Sequence, residues 1–239
     1  MVQNLATPHE APDARTNTTR MLLRCGVVAG PLFLAVVFVQ AVIRDGFDLS
    51  RHPLSLLSLG ELGWIQIANF AVTGLLYVAC AVGMRRVLHP GRGGTWGPLL
   101  VGGLGVGLIL AGVFVADAGA GFPPGAPAGA PERLSWHGIG HTVGFVVANF
   151  GMVVGCLVFA RRFAADGHRG WVAACVATVV AVLALVLWPD TEGVSVRLVA
   201  ASAILFGFVA ALAARLLREQ RRAGGRGADG QGELLAERR

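Results

Sequence analysis

The sequence predicts an all-α integral membrane protein, a bundle of six transmembrane helices. Three observations carry that prediction. The 239 residues are 54% hydrophobic and 14% charged, about half the charged share of a soluble domain. The charges sit in short clusters separated by long uncharged stretches, and the mean hydropathy is +0.64. Six of those stretches reach the ~20 apolar residues that a helix needs to cross a bilayer.

The expected spans are Met21–Ile43, Trp64–Met84, Trp96–Ala116, Ser135–Ala160, Trp171–Trp188 and Val196–Leu217. None carries an ionisable residue deep inside. The alternating apolar and polar pattern of a membrane β-barrel is absent. Backbone groups in lipid must be paired within the segment, which leaves helices. The first stretch is too long for a signal-peptide core and lacks a clear small-x-small cleavage site, so it is expected to be a retained span. Residues 1–20 and 218–239, polar and rich in Thr, Pro, Arg, Gly and Glu, are expected to be disordered tails flanking one membrane domain at 21–217.

Orientation follows from arginine, the sole basic residue type besides histidine. Sixteen arginines fall in the two tails and in the loops after the second and fourth spans; four, Arg44, Arg51, Arg133 and Arg197, fall on the other side. The arginine-rich side is expected to be cytoplasmic, with both termini inside and the protein in the plasma membrane. The pI of 10.4 is then a topology signal in contact with anionic lipid rather than a sign of nucleic-acid binding. The four cysteines, Cys25, Cys80, Cys156 and Cys175, fall in the inner halves of different spans and match no metal spacing, so they read as small apolar residues.

Thirty-four glycines are unusually many. Gly26/Gly30, Gly103/Gly107, Gly140/Gly144 and Gly151/Gly155 are each four apart, which puts each pair on one helix face and lets backbones approach. The third and fourth spans are expected to pack centrally, with bulky changes at Gly103 or Gly107 disrupting folding. The glycine-rich run 102–107 is preceded by no strand and is not a phosphate loop. No segment of the first half aligns with the second, so no inverted repeat is expected.

Polar residues gather at the outer face. Residues 44–63 are too polar to span and too apolar to float free: Leu49, Leu54, Leu56, Leu57, Leu59 and Leu62 must rest on the bundle. A re-entrant or interfacial segment is expected there, carrying His52, Ser55, Ser58 and Glu61. Asp117 ends the third span and Ser135 opens the fourth as an N-cap. His137 and His141 follow, four apart on one face. Gln40, Gln66 and Asn69 lie in the outer thirds of the first two spans, Asn149 near mid-membrane, and Asp190 and Glu192 in the last outer loop.

Imidazole and carboxylate together suit zinc, and an open fourth position would make the site catalytic. His52, Asp117, His137 and His141 are therefore the candidate metal ligands. Zinc would activate a water, and Ser55, Ser58 and Asp117 are the candidate catalytic residues, a serine donating to a developing oxyanion. The plainer alternative is that these side chains satisfy local backbone. Haem would need two axial ligands at one depth on facing helices, and a transmembrane electron path would need haem on both sides, whereas the inner side offers only the loop residues His89 and His168.

The segment His52–Gly60, followed by Gly63-Trp64-Ile65-Gln66 and Phe70…Gly74-Leu75, resembles the bacterial and archaeal membrane family catalogued as domain of unknown function 998. So do Ala111–Asp117, Gly121–Gly125 and the fourth-span His137. The resemblance runs over roughly residues 24–215 and implies six spans without an assigned activity. A second, weaker similarity is to the membrane hydrolase superfamily of alkaline ceramidases and the progestin and adipoQ receptors, which share a Ser, an Asp and three His near one membrane face. It would give such roles to Ser55 or Ser58, Asp117, His52, His137 and His141. This chain departs from that pattern in having six spans, with its histidine pair in the fourth.

Three functions remain open at this stage. The first is a metal-dependent hydrolase of a lipid or lipid-linked substrate at the outer leaflet. The second is a non-catalytic membrane binding or scaffolding protein. The third is a small-solute transporter, for which Asn149 and Thr73 would be the midplane polar residues.

Overall fold

The computed structural model describes residues 14–189 and 193–236, with side chains as far as Arg222. Asp190 and Glu192 lie outside the described residues. Six α-helices follow one another: α1 (Ala14–Ile43), α2 (Gly63–Leu88), α3 (Trp96–Val113), α4 (Trp136–Ala165), α5 (Arg169–Val186) and α6 (Val194–Ala236). All six are long and apolar enough to cross a membrane. Among the described residues there is no strand, only an isolated bridge between Gly119 and Phe122.

Each helix packs against its chain neighbours, and α1 meets α6, so the six close into a ring of alternating direction. The core is apolar: Phe33, Val37, Leu57, Phe70, Tyr77, Met84, Leu104, Met152, Phe159, Leu205 and Leu212 are all buried. Valines, leucines and isoleucines on the outward faces stay exposed, as a lipid-facing surface requires. Trp64 and Trp136 begin α2 and α4 and Trp188 follows α5, all exposed at the end that bears Asp117; exposed Trp96 begins α3 at the opposite end. Indoles at two levels match the membrane–water interfaces.

Glycine sets how closely the helices approach. A Cβ on Gly74 would lie 2.5 Å from the Gly105 carbonyl oxygen, and one on Gly107 2.5 Å from that of Gly144. Helix α3 is thus pressed backbone to backbone against α2 on one face and α4 on the other. This corrects part of the sequence expectation. Gly107 is confined, but a Cβ on Gly103 would meet nothing within 4 Å, and the same holds for Gly151. Four-residue spacing identifies a face and cannot say whether a neighbour covers it.

Helix ends also differ from the expected spans. α3 stops at Val113 because Phe114 turns extended (φ −98, ψ 98). Residues 14–20 and 218–236, read as tails, continue α1 and α6 as helix; adding turns to an existing helix costs little once it is nucleated. Arg20 Nη2 donates to the Gln220 carbonyl at 3.3 Å, which brings the start of the first helix beside the last. All four cysteines are unpaired thiols, with Cys80, Cys156 and Cys175 buried.

Candidate functional site

At the end of the ring bearing Asp117, residues 44–62 cross the mouth of the bundle. A short 3-10 helix, Leu54–Ser58, pushes Leu56 and Leu57 into the core, in keeping with the expected interfacial segment. Arg44, at the end of α1, holds this segment down. Its guanidinium donates through Nη1 to the Leu57 carbonyl at 3.1 Å and through Nη2 to the Leu59 carbonyl. It also lies over the Phe122 ring of the next outer loop. Gly60 takes φ +72, and a Cβ there would press on Arg44 Nη2 at 3.2 Å, so the turn and the clamp both favour glycine. The sequence reading counted Arg44 only as a charge; its place one residue past an apolar span gives no sign that it is buried.

His52 is 3% exposed. Its Nδ1 accepts from the Asp48 amide at 2.8 Å and its Nε2 faces the Ala120 carbonyl at 3.0 Å. An amide can only donate and a carbonyl only accept, so the ring is the neutral Nε2–H tautomer with both nitrogens occupied. Phe47 and Phe122 flank it. Asp48 Oδ1 accepts from the Ser50 amide and hydroxyl at 2.8 and 2.6 Å, and these two bonds hold its carboxyl below the usual carboxylate range.

Asp117 builds the start of α4. Oδ1 accepts from the Ser135 hydroxyl at 2.5 Å and Oδ2 from the Ser135 amide at 2.8 Å. Ser135 Oγ in turn accepts from the Gly138 amide at 3.0 Å, the N-cap bond the sequence predicted. The carboxylate sits at the positive end of a helix, where a negative charge is favoured, and closes the loop between α3 and α4. It is packed so closely on Gly138 that a Cβ there would overlap it.

The two histidines of α4 part company. His137 packs against Trp136 and Phe114, with ring centroids 3.7 and 6.1 Å away. His141 turns to the end of α3, its Nδ1 3.0 Å from both the Ala111 and the Phe114 carbonyl oxygens. Two acceptors require a donor between them, so Nδ1 carries a proton. In the tautomer that carries its proton on Nδ1 alone, Nε2 keeps a lone pair. The four expected metal ligands therefore do not converge. Among the described residues no group of three His, Cys, Asp or Glu side chains could hold a metal ion, and the residues do not fit zinc.

What the structure does bring together is Ser55, His141 and Thr142. They line an apolar cavity of about 250 Å³ inside the ring, walled by Phe33, Phe70, Leu104, Leu108, Phe145 and Phe206. With Pro53 they also line a shallower hollow on the Asp117 face, reached by Arg51, Asp117 and Leu134. The two spaces share these four lining residues. His52, His137 and Ser58 line neither; Ser58 is buried with its hydroxyl unpartnered among the described residues. Of the sequence candidates, Ser55, Asp117 and His141 face this site. Thr142, Ser202 and the aromatic wall escaped the sequence reading, because apolar residues in a membrane span look alike whether they face lipid or a cavity.

Behind the cavity wall a buried polar ladder ties α1 to α2. Gln40 Nε2 donates to Gln66 Oε1 at 2.8 Å, and Asn69 Nδ2 donates to Gln66 Oε1 and to the Phe33 carbonyl, each at 3.2 Å. Thr73 Oγ1 lies 3.5 Å from Asn69 Oδ1. Gln40, Gln66 and Asn69 are the outer-third polar residues of the sequence, used as interhelical glue. Asn149 lines the cavity, and its Nδ2 donates to the Phe145 carbonyl of its own helix at 2.9 Å.

No curated protein and no solved structure matches the chain, so neither supports the likeness to the ceramidase and receptor superfamily. The family described as Protein of unknown function (DUF998) matches residues 27–215. That match takes in α2 to α5 and the greater part of the membrane-crossing stretches of α1 and α6, with the interfacial segment, the Asp117 cap and the cavity, and the chain belongs to this family.

Proposed function

We propose that this multi-pass membrane protein binds an amphipathic lipid, its chain in the apolar cavity and its polar group at the junction with the hollow above. The observation that carries this reading is the shared lining of Pro53, Ser55, His141 and Thr142, which joins an apolar interior to a polar mouth. Cavities of about 150 Å³ already take benzene when their walls are apolar; this one is larger. Helices α4 and α6 both line it and α5 does not, so entry is expected from the lipid between α4 and α6.

Hydrolysis of the bound lipid is the finer reading. Its support is that the Ser55 hydroxyl and the His141 ring share the junction, with the His141 tautomer set by α3. Among the described residues a metal-dependent form lacks a ligand set, and a transport route would have only Asn149 and Thr73 as midplane polar residues. The plasma membrane, with both termini cytoplasmic and the site on the outer leaflet, is supported by the arginine asymmetry.

Native mass spectrometry of protein released from nanodiscs tests the binding. Wild type should retain one lipid that Ser202→Trp, which fills the cavity, does not, at matched melting temperature. Equal retention by both proteins, or none by wild type, would end the proposal.

A further inference from the structure

We infer that the site selects a neutral lipid alcohol, a chain carrying an uncharged hydroxyl, over lipids that would carry a phosphate, carboxylate or ammonium into the cavity. The inference rests on the lipid-binding reading and narrows it by the hydrogen-bond inventory of the junction.

Two of the junction's polar groups have had their protons taken by backbone. His141 donates from Nδ1 to the Ala111 and Phe114 carbonyls, so the Nδ1–H tautomer offers a lone pair at Nε2. Thr142 donates its hydroxyl proton to the Gly138 carbonyl at 2.8 Å, so its oxygen offers lone pairs only. Asn149 spends one N–H on the Phe145 carbonyl. Ser55 and Ser202 line the same cavity, and a hydroxyl can serve as donor or acceptor. The two fixed members at the junction, His141 and Thr142, are therefore acceptors, while Asn149 keeps a second N–H deeper in the cavity. They call for a ligand that brings a donor.

Charge decides which donor. No arginine, aspartate or glutamate lines the cavity. Arg51 and Asp117 stand only at the outer hollow, and Asp117 is already bonded twice to Ser135. A phosphate or carboxylate drawn into the cavity would face lone pairs and leave Arg51 behind at the outer hollow. An ammonium would bring donors but leave its charge in an apolar cavity without a counter-ion. Both arrangements carry the desolvation cost of an unpaired charge. A hydroxyl avoids it: it donates to His141 Nε2 or Thr142 Oγ1 and accepts from a serine, while its chain replaces nothing but apolar contacts with Phe33, Phe145 and Phe206.

The test uses wild-type protein in nanodiscs and a C12 alcohol bearing a mid-chain diazirine. After irradiation, peptide mass spectrometry should find the label on α4 and α6 residues of the cavity, such as Phe145 and Leu198. Dodecan-1-ol should compete about tenfold better than dodecyl phosphate or dodecylammonium, roughly the value of one hydrogen bond. His141→Asn separates the two jobs of the ring. The asparagine amide can still donate to the Ala111 and Phe114 carbonyls but has no atom at the Nε2 position. It should keep the melting temperature and lose the alcohol's advantage. Equal competition by the phosphate or the ammonium, or an alcohol preference unchanged in His141→Asn, would overturn the selectivity and leave lipid binding standing. Cavity residues left unlabelled while the surface labels would overturn the lipid reading itself, and this inference with it.

Discussion

The Arg44 guanidinium carbon sits 5.3 Å from the centre of the Phe122 ring, so the cation that pins the first outer segment also carries the second. The two outer loops are built around one another. His52 reaches across to the Ala120 carbonyl, and Phe47 and Phe122 stack edge to face at 5.3 Å. The roof over the cavity is one unit made from two distant stretches of chain.

Replacing Arg44 with leucine should therefore loosen both loops. It leaves the Leu57 and Leu59 carbonyls without their donor in a buried setting, at a cost of roughly 2–3 kcal/mol. Thermal unfolding in mild detergent should show the loss, and hydrogen exchange should rise over residues 44–62 and 118–134. Arg44→Lys should recover less than half, because one ammonium cannot reproduce the planar fork. Unchanged exchange in both loops would show that the clamp is dispensable.

Two glycines on the same helix give opposite expectations. Gly107→Ala forces a Cβ against the Gly144 carbonyl and the Ala148 amide and should cost about 1–3 kcal/mol. Gly103→Ala enters open space and should be neutral or stabilise by up to about 1 kcal/mol through helix propensity. Equal destabilisation by the two would contradict the α3–α4 crossing.

Asp117 and Ser135 should behave as a coupled pair. Ser135→Ala removes the α4 cap and should cost about 1 kcal/mol. Asp117→Ala removes the acceptor of both Ser135 bonds and should open the loop between α3 and α4 to limited proteolysis. The double variant should lose less than the sum of the two singles, as residues in one network do. Strict additivity would mean that the bonds do not hold the loop.

Orientation is tested with single cysteines at Ala128, exposed in the loop after α3, and Ala165, exposed at the end of α4, in a background with the four native cysteines changed to alanine. An impermeant thiol reagent on intact cells should label Ala128→Cys and spare Ala165→Cys. The reverse pattern would put both the roof and the cavity mouth on the cytoplasmic side.

The sequence by itself determined the six helices, because ~20 apolar residues in a row have one stable form in lipid. It also determined the Ser135 cap and the burial of Leu56 and Leu57 within a polar stretch, since both are local: one is a bond to the next turn, the other an apolar surplus that cannot stay in water. Tertiary structure alone decided the rest. The pair His137 and His141 is one spacing with two fates, since only α3's free carbonyls select His141. Gly103 and Gly107 likewise share a face and differ only in what covers it. Ser55, His141 and Thr142 come from segments far apart in the chain, and nothing in either segment records the other. A cavity wall and a lipid-facing wall are made of the same residues in a membrane protein, because both want apolar side chains; which helices close the ring decides which wall a residue joins.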